Sequence, residues 1–269
     1  MLSMIRYSIK NERLIPWIKF IWHFEAENAN IYYKLLPTDC IDVIMNLSSG
    51  IIYETDSHKI VAPHFHINGL RDKYSFIKQS GNICIWGISF YSFGLFPFIN
   101  KPMEHIQNKI VDLHSLSIPL AHNLKSAVSD NIAGDTVTMI EKALCSELQN
   151  NSDYTYKAKF IHDYIESDDN VTVQIFCEKH GISIKTFERM VLRYTGYTPK
   201  ILRRIKRFQS VSNQLINKNP KSLTDAAYDN CFADQAHLIK DFHRFSGIAP
   251  MSFLHEKATI KENTKYRYM

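Results

Sequence analysis

The sequence predicts an α+β chain of two domains, β-rich in its N-terminal half and all-α in its C-terminal third. Three observations carry this expectation. At 269 residues the chain is long enough to bury two ordinary cores. Its apolar spacing changes beyond Pro102 from short punctuated runs to intervals of three and four. The C-terminal third also repeats itself at an offset of 51 residues.

From Tyr7 to about Ile99 the runs are strand-like: Ile31-Tyr32-Tyr33, Ile41 to Met45, and Ile83 to Trp86, broken by Pro37, Gly50, Pro63, Gly69 and Gly81. Ile83 to Ile99 carries no charge and approaches the length of a membrane span. Gly87, Ser89, Ser92, Gly94 and Pro97 interrupt it, so two short buried strands, or a strand and a turn, are expected instead. Ile118, Leu120, Leu124 and Val128, then Ile140, Ala143, Leu144 and Leu148, have helical spacing and should close this domain, 1–150. Asn150 to Asp153 reads as a linker.

The repeat pairs Thr186, Phe187, Arg189, Val191, Arg193, Tyr194, Gly196 and Pro199 with His237, Leu238, Lys240, Phe242, Arg244, Phe245, Gly247 and Pro250. In the first copy Thr172 can cap a helix running to His180, Gly181 supplies a turn, and Ser183 can cap a second helix, 183–194. On that helix Phe187, Met190, Val191 and Tyr194 share one face, which leaves Lys185, Thr186, Glu188, Arg189 and Arg193 outward. In the second copy Ser222 caps a helix from Leu223 to Asn230, and Asp234 caps one through Phe245, turning Gln235, His237, Lys240 and Arg244 outward. Between the copies Thr198 and Pro199 open a long helix whose apolar side is Ile201, Leu202, Ile205, Phe208, Val211 and Leu215. Its basic run, Lys200, Arg203, Arg204, Lys206 and Arg207, is a candidate for phosphate contact.

Charge points the same way. Residues 1–153 hold 13 basic and 15 acidic side chains, 154–257 hold 16 and 11, and the tail 258–269 holds 3 and 1, so only the helical part suits a polyanion. Five scattered cysteines, never in a C-x-x-C pair, suggest neither a disulfide framework nor a cysteine zinc site, and fit reduced cytoplasm. The N-terminus lacks the apolar stretch of a secretory signal. His64 and His66 have the spacing of a metal-binding strand, but no glutamate follows as such a site would want, so no metal and no cofactor is expected. Asp39 and Asp42 read as a turn entering a buried strand. Without a phosphate loop, a G-x-S-x-G elbow or H-E-x-x-H, enzymatic activity has little support; a metal-binding enzyme or sensor carrying a DNA-binding tail is the alternative.

Residues 154–257 resemble the AraC/XylS family of bacterial transcription regulators. The resemblance rests on Gly181 to Arg189, Gly196-Tyr197-Thr198-Pro199-Lys200 and Arg204 to Gln209, and again on Phe232 to Leu238 and Phe242 to Pro250. Cys231 stands where the family usually has glycine, Ala226 where it prefers a branched aliphatic, and Leu238 where phenylalanine is common. The resemblance implies two helix-turn-helix units presented to successive major-groove segments of double-stranded DNA. Lys185, Glu188, Arg189, Gln235, His237 and Lys240 would read bases, and Ser183, Thr186, Arg193, Lys200, Arg204, Arg207 and Arg244 would contact the backbone. It further implies a regulator, more often an activator, with RNA polymerase, a small-molecule effector and a second copy of the chain as further candidate partners. Trp22-His23-Phe24, Leu36 to Ile44, Trp86 to Phe90 and Asn108 to Leu113 are similar to an N-terminal domain of some such regulators, which suggests a small barrel or cupin-like fold with an effector-sensing or dimerisation role.

Overall fold

The computed structural model describes residues 3–55, 58–129, 135–149, 152–168, 170–217 and 222–253; the expected basic tail lies outside them, as do positions 150 and 151 of the expected linker. Among the described residues eight strands form one antiparallel sheet: β1 (Ser3–Tyr7), β2 (Ile18–Leu35), β3 (Cys40–Asn46), β4 (Ile52–Glu54), β5 (Lys59–Val61), β6 (Phe65–Asn68), β7 (Ser75–Tyr91) and β8 (Ile110–Asp112). The ladder runs β1-β2-β7-β3-β6-β8, and β4 branches from the first half of β7 to carry β5. β2 and β7, 18 and 17 residues long, pair along nearly their whole length, with register shifts between Ile18 and Phe20 and between Ala26 and Ala29. Asn28 there and Gly81 opposite take the left-handed conformation that asparagine and glycine tolerate.

Side-chain alternation divides the core. Ile41, Val43 and Met45 of β3 face one cluster and Ile44 the other, where it meets Trp22, Phe24, Tyr53 and Ile85. Gly87 is fixed by this packing, because a Cβ would fall 2.1 Å from the Trp22 ring. The uncharged stretch is a strand and a turn, as expected: β7 ends at Tyr91, and α1 (Phe96–Ile99) follows after four residues. Among the described residues no helix is long and apolar enough to cross a membrane. The helices α2 (Leu120–Ser129) and α3 (Thr136–Glu147) cover the first cluster.

Four buried or half-buried groups near Cys40 and His66 settle the tempting polar motifs. Lys19 pairs with Asp39 at 2.6 Å, while Asp42 accepts from Ser89 Oγ at 2.5 Å, so the two carboxylates serve separate partners. His66 uses both ring nitrogens, Nε2 with the Tyr53 hydroxyl (3.0 Å) and Nδ1 with the Pro63 carbonyl (2.7 Å), and His64 binds the Asn46 carbonyl; the His64/His66 pair does not converge on a common point.

Burial pushes His66 down to about 4 and Asp42 up to about 6. Between about pH 4 and 6.5 the unfolded chain binds a proton that folded His66 refuses, so this group makes stability rise with pH. Between about 3.8 and 6 folded Asp42 holds a proton that the unfolded chain releases, so its contribution has the opposite sign. The two cancel over much of that window. In Asp42→Asn the cancellation is gone, and stability is expected to fall from pH 6 to pH 5 by roughly 1 kcal/mol more than in the wild type, because folded Asp42 is half protonated at pH 6 and almost fully protonated at pH 5. Urea unfolding at the two pH values measures it, and parallel losses in both proteins would contradict it.

Candidate nucleic-acid interface

The C-terminal part is built of six helices among the described residues: α4 (Ser152–Glu166), α5 (Val173–His180), α6 (Ile184–Thr195), α7 (Pro199–Asn217), α8 (Leu223–Asp229) and α9 (Gln235–Ser246). The expected linker is shorter than its polar composition suggested, since α4 begins at Ser152 and takes in Asp153. Each expected cap is made: Thr172, Ser183, Ser222 and Asp234 accept from the backbone N–H of Ile175, Thr186, Asp225 and His237. Gly181, with φ of +63°, turns α5 into α6.

At the matching turn between α8 and α9 Cys231 has φ of +55°, the conformation that the glycine-to-cysteine departure places under strain. Cys231→Gly is therefore expected to stabilise the protein by roughly 1 kcal/mol, minus the entropy that glycine adds to the unfolded chain. A thermal or urea midpoint that falls in the variant would show that this turn is not strained.

The two apolar faces lie where their spacing put them. Phe187, Val191 and Tyr194 of α6, and Leu238, Phe242 and Phe245 of α9, are buried. On α6 and its cap, Ser183, Lys185, Thr186, Glu188, Arg189 and Arg193 are all exposed. Arg189 and Arg193 border an open cleft floored by Phe96, Tyr154 and Phe160, and the Arg193 guanidinium lies 5.4 Å from the Phe96 ring. The same positions on α9 are more occupied. Gln235 accepts from the Thr224 hydroxyl at 3.0 Å, and His237 is half-buried, edge-on to Phe232 and 3.7 Å from the Asp241 carboxylate. Lys240 is exposed.

Most of the basic run of α7, expected as a phosphate-binding edge, has partners within the protein. Arg203, 7% exposed, donates to the Val171 and Tyr164 carbonyls and to Ser167, closing the end of α4. Lys206 donates to the Ile165 carbonyl at 2.8 Å and pairs with Glu166. Carbonyls at a helix C-terminus have no partner within the helix, and these cations supply one. Arg204, expected to touch phosphate, is instead bidentate to Asp241, at 3.0 and 2.5 Å, and that carboxylate is 2% exposed. The ion pair holds the guanidinium pKa above its ordinary value. Arg207 sits over the Phe232 ring and donates to the Cys231 carbonyl, half-buried, and Lys200 is exposed.

A contact with the N-terminal domain meets both helix pairs at once. The Tyr197 hydroxyl, just after α6, donates to the Leu70 carbonyl and the Asp72 carboxylate, both at 3.3 Å. Arg244 of α9 donates to the other Asp72 oxygen at 3.2 Å, and Gly247 abuts Tyr74 so closely that a Cβ would lie 2.2 Å from its ring. Phe96 stacks on Tyr194 at 4.2 Å, and one apolar cluster continues from the sheet's helices into α4 to α9.

A helix-turn-helix domain family matches residues 176–256, and a domain family of unknown function matches residues 11–112. No curated protein matches. Among solved structures, ToxT of Vibrio cholerae O395 bound to (E)-4-(8-methylnaphthalen-1-yl)but-3-enoic acid is 15% identical, with 96% of this chain and 98% of that one aligned at a TM-score of 0.44. ToxT of V. cholerae strain SCE256 with unsaturated fatty acid is 12% identical over 90% and 96%, at 0.43. The AraC-like transcriptional activator CuxR is 15% identical over 73% and 75%, at 0.27. Overlap this loose assigns no role to any residue.

Proposed function

We propose, for a DNA-binding transcription regulator whose residues 176–256 form an AraC-type helix-turn-helix domain, that α6 is the principal base-reading helix and α9 a weaker second one. The observation that carries this is the difference between equivalent positions of the two copies. Lys185, Glu188 and Arg189 stand exposed on α6, whereas Gln235 and His237 of α9 already have partners inside the protein. Lys240 is left as the freer group of its trio. Ser183, Thr186, Arg193, Lys200, Arg207 and Arg244 form the phosphate-contacting set, with Arg204 withdrawn from it. α7, 19 residues and so about 28 Å long, is a rigid spacer close to one B-DNA turn of about 34 Å. The family resemblance favours an activator, and five free thiols suit a reducing cytoplasm.

The N-terminal domain, residues 1–150, regulates this reading through Asp72. Arg244 gives one of its nitrogens to Asp72, and a carboxylate so close repels a DNA phosphate, so the Asp72 contact competes with DNA for Arg244. An effector or a second copy of the chain that moved the 70–74 loop would act through this contact. Fluorescence anisotropy of a labelled duplex against the full chain tests both parts. Affinity is expected to fall steeply as salt rises, because bound counterions return to the DNA; a flat response would remove the DNA-binding reading. Asp72→Ala is expected to tighten binding by up to about fivefold, since a half-exposed pair holds roughly 1 kcal/mol or less. Unchanged or weaker binding in that variant would leave DNA binding intact and remove the regulatory contact.

A further inference from the structure

The β2-β7 ladder brings together three side chains with metal-ligand chemistry. In its register Glu25 lies opposite Cys84 and His23 opposite Trp86, so His23, Glu25 and Cys84 project from one face of the sheet. His23 Nε2 is 3.4 Å from Glu25 Oε1 and 3.7 Å from Cys84 Sγ, and Sγ is 3.8 Å from the same Glu25 oxygen. Ordinary zinc bonds to nitrogen, oxygen and sulfur, set at tetrahedral angles, require edges of about 3.4 Å for N to O, about 3.5 Å for N to S and about 3.6 Å for S to O. The three atoms already form that triangle to within about 0.2 Å, the tolerance expected of a formed site.

We propose that His23, Glu25 and Cys84 form a binding site for one zinc-class divalent ion on the N-terminal sheet. The donor set balances charge, since a thiolate and a carboxylate neutralise a dication and the imidazole adds a neutral ligand. The sulfur and nitrogen donors select zinc over magnesium or calcium, which favour oxygen throughout. Two ligands are held in place before any metal arrives. The His23 ring stacks on Trp86 at 4.1 Å and 16°, and the Cys84 backbone is fixed by its N–H to Ser48 Oγ (3.0 Å) and its carbonyl to the Leu47 N–H (2.9 Å). Ser48 is in turn bound by Asn46 and Gln79. Glu25 is 64% exposed, which sets the site at the surface, where water completes the fourth position. Bound there, the ion would tie β2 to β7 beside the edge strand β1.

The test uses the reduced full chain. After equilibration with ZnCl2 and removal of free ion, one zinc per chain is expected to remain, and Co2+ in its place is expected to give a thiolate-to-cobalt charge-transfer band. Cys84→Ser and His23→Gln should lose the metal, with folding checked by circular dichroism. Glu25→Gln alters only an exposed side chain and should weaken zinc by about tenfold or more, at least what loss of an outer-shell partner costs. His64→Ala and Cys231→Ser should retain it. The proposal is overturned if the wild type retains no zinc, if folded Cys84→Ser or Glu25→Gln binds it as the wild type does, or if a control variant loses it.

Discussion

Asp241→Ala is expected to lower the unfolding free energy by about 3 kcal/mol, the cost of breaking a buried pair by removing one partner. Asp241 is 2% exposed on α9, and the Arg204 side chain that grips it from α7 is 15% exposed. The Arg204 guanidinium lies 5.5 Å from the Phe245 ring. Alanine would leave that cation beside an aromatic ring without its carboxylate, and it would have to draw in water or swing out of the packing between α7 and α9. Replacing both partners with apolar residues, as in Arg204→Met with Asp241→Leu, should recover most of the loss, because desolvation of the charges is removed with their attraction. Urea unfolding of the single and double variants measures this. A single variant within about 0.5 kcal/mol of the wild type, the range of ordinary surface changes, would show that the pair holds nothing together.

The second large effect concerns DNA. Arg189→Ala is expected to weaken binding to the preferred duplex by about 1–3 kcal/mol, roughly fivefold to 150-fold, and to relax preference at one base position. Lys200→Ala should instead weaken all duplexes about equally and reduce the salt slope by about 1. Lys240→Ala distinguishes the helices: affinity and specificity equal to those of the wild type would assign α9 to the backbone. Titration of the preferred duplex and its single-base variants resolves the three. If Arg189→Ala kept both affinity and preference, α6 would not be the reader.

Local signals carried much of the helical domain into the sequence. Four caps, the glycine turn at 181 and both apolar faces follow from neighbours within a few positions, where spacing and side-chain chemistry are sufficient, while the turn at Cys231 was marked by the family resemblance alone. What was not legible depends on distant segments. Arg203, Arg204 and Lys206 have the composition of a phosphate-binding edge, and only the packing of α4 and α9 against α7 shows that carbonyls and Asp241 claim them. The Asp72 contact joins positions 172 residues apart. The metal-ligand triangle joins His23 to Cys84 through a strand register that no short motif encodes, while the recognisable His64/His66 spacing led to histidines bound to their own surroundings. In the N-terminal domain alternation located strand segments but not their ends, since Gly81, expected as a break, lies within β7, nor the ladder order, because pairing partners are set by shared burial and not by proximity along the chain.

The reading of DNA is tested most directly by incubating the full chain with a library of random duplexes at two salt concentrations and sequencing what it retains. The expected result is one strongly enriched block read by α6 and a weaker block about one helical turn, or ~10 base pairs, away, with less material retained at the higher salt. Retention without any enriched sequence at either salt would contradict it, and would reduce the exposed face of α6 to a surface for polyanions.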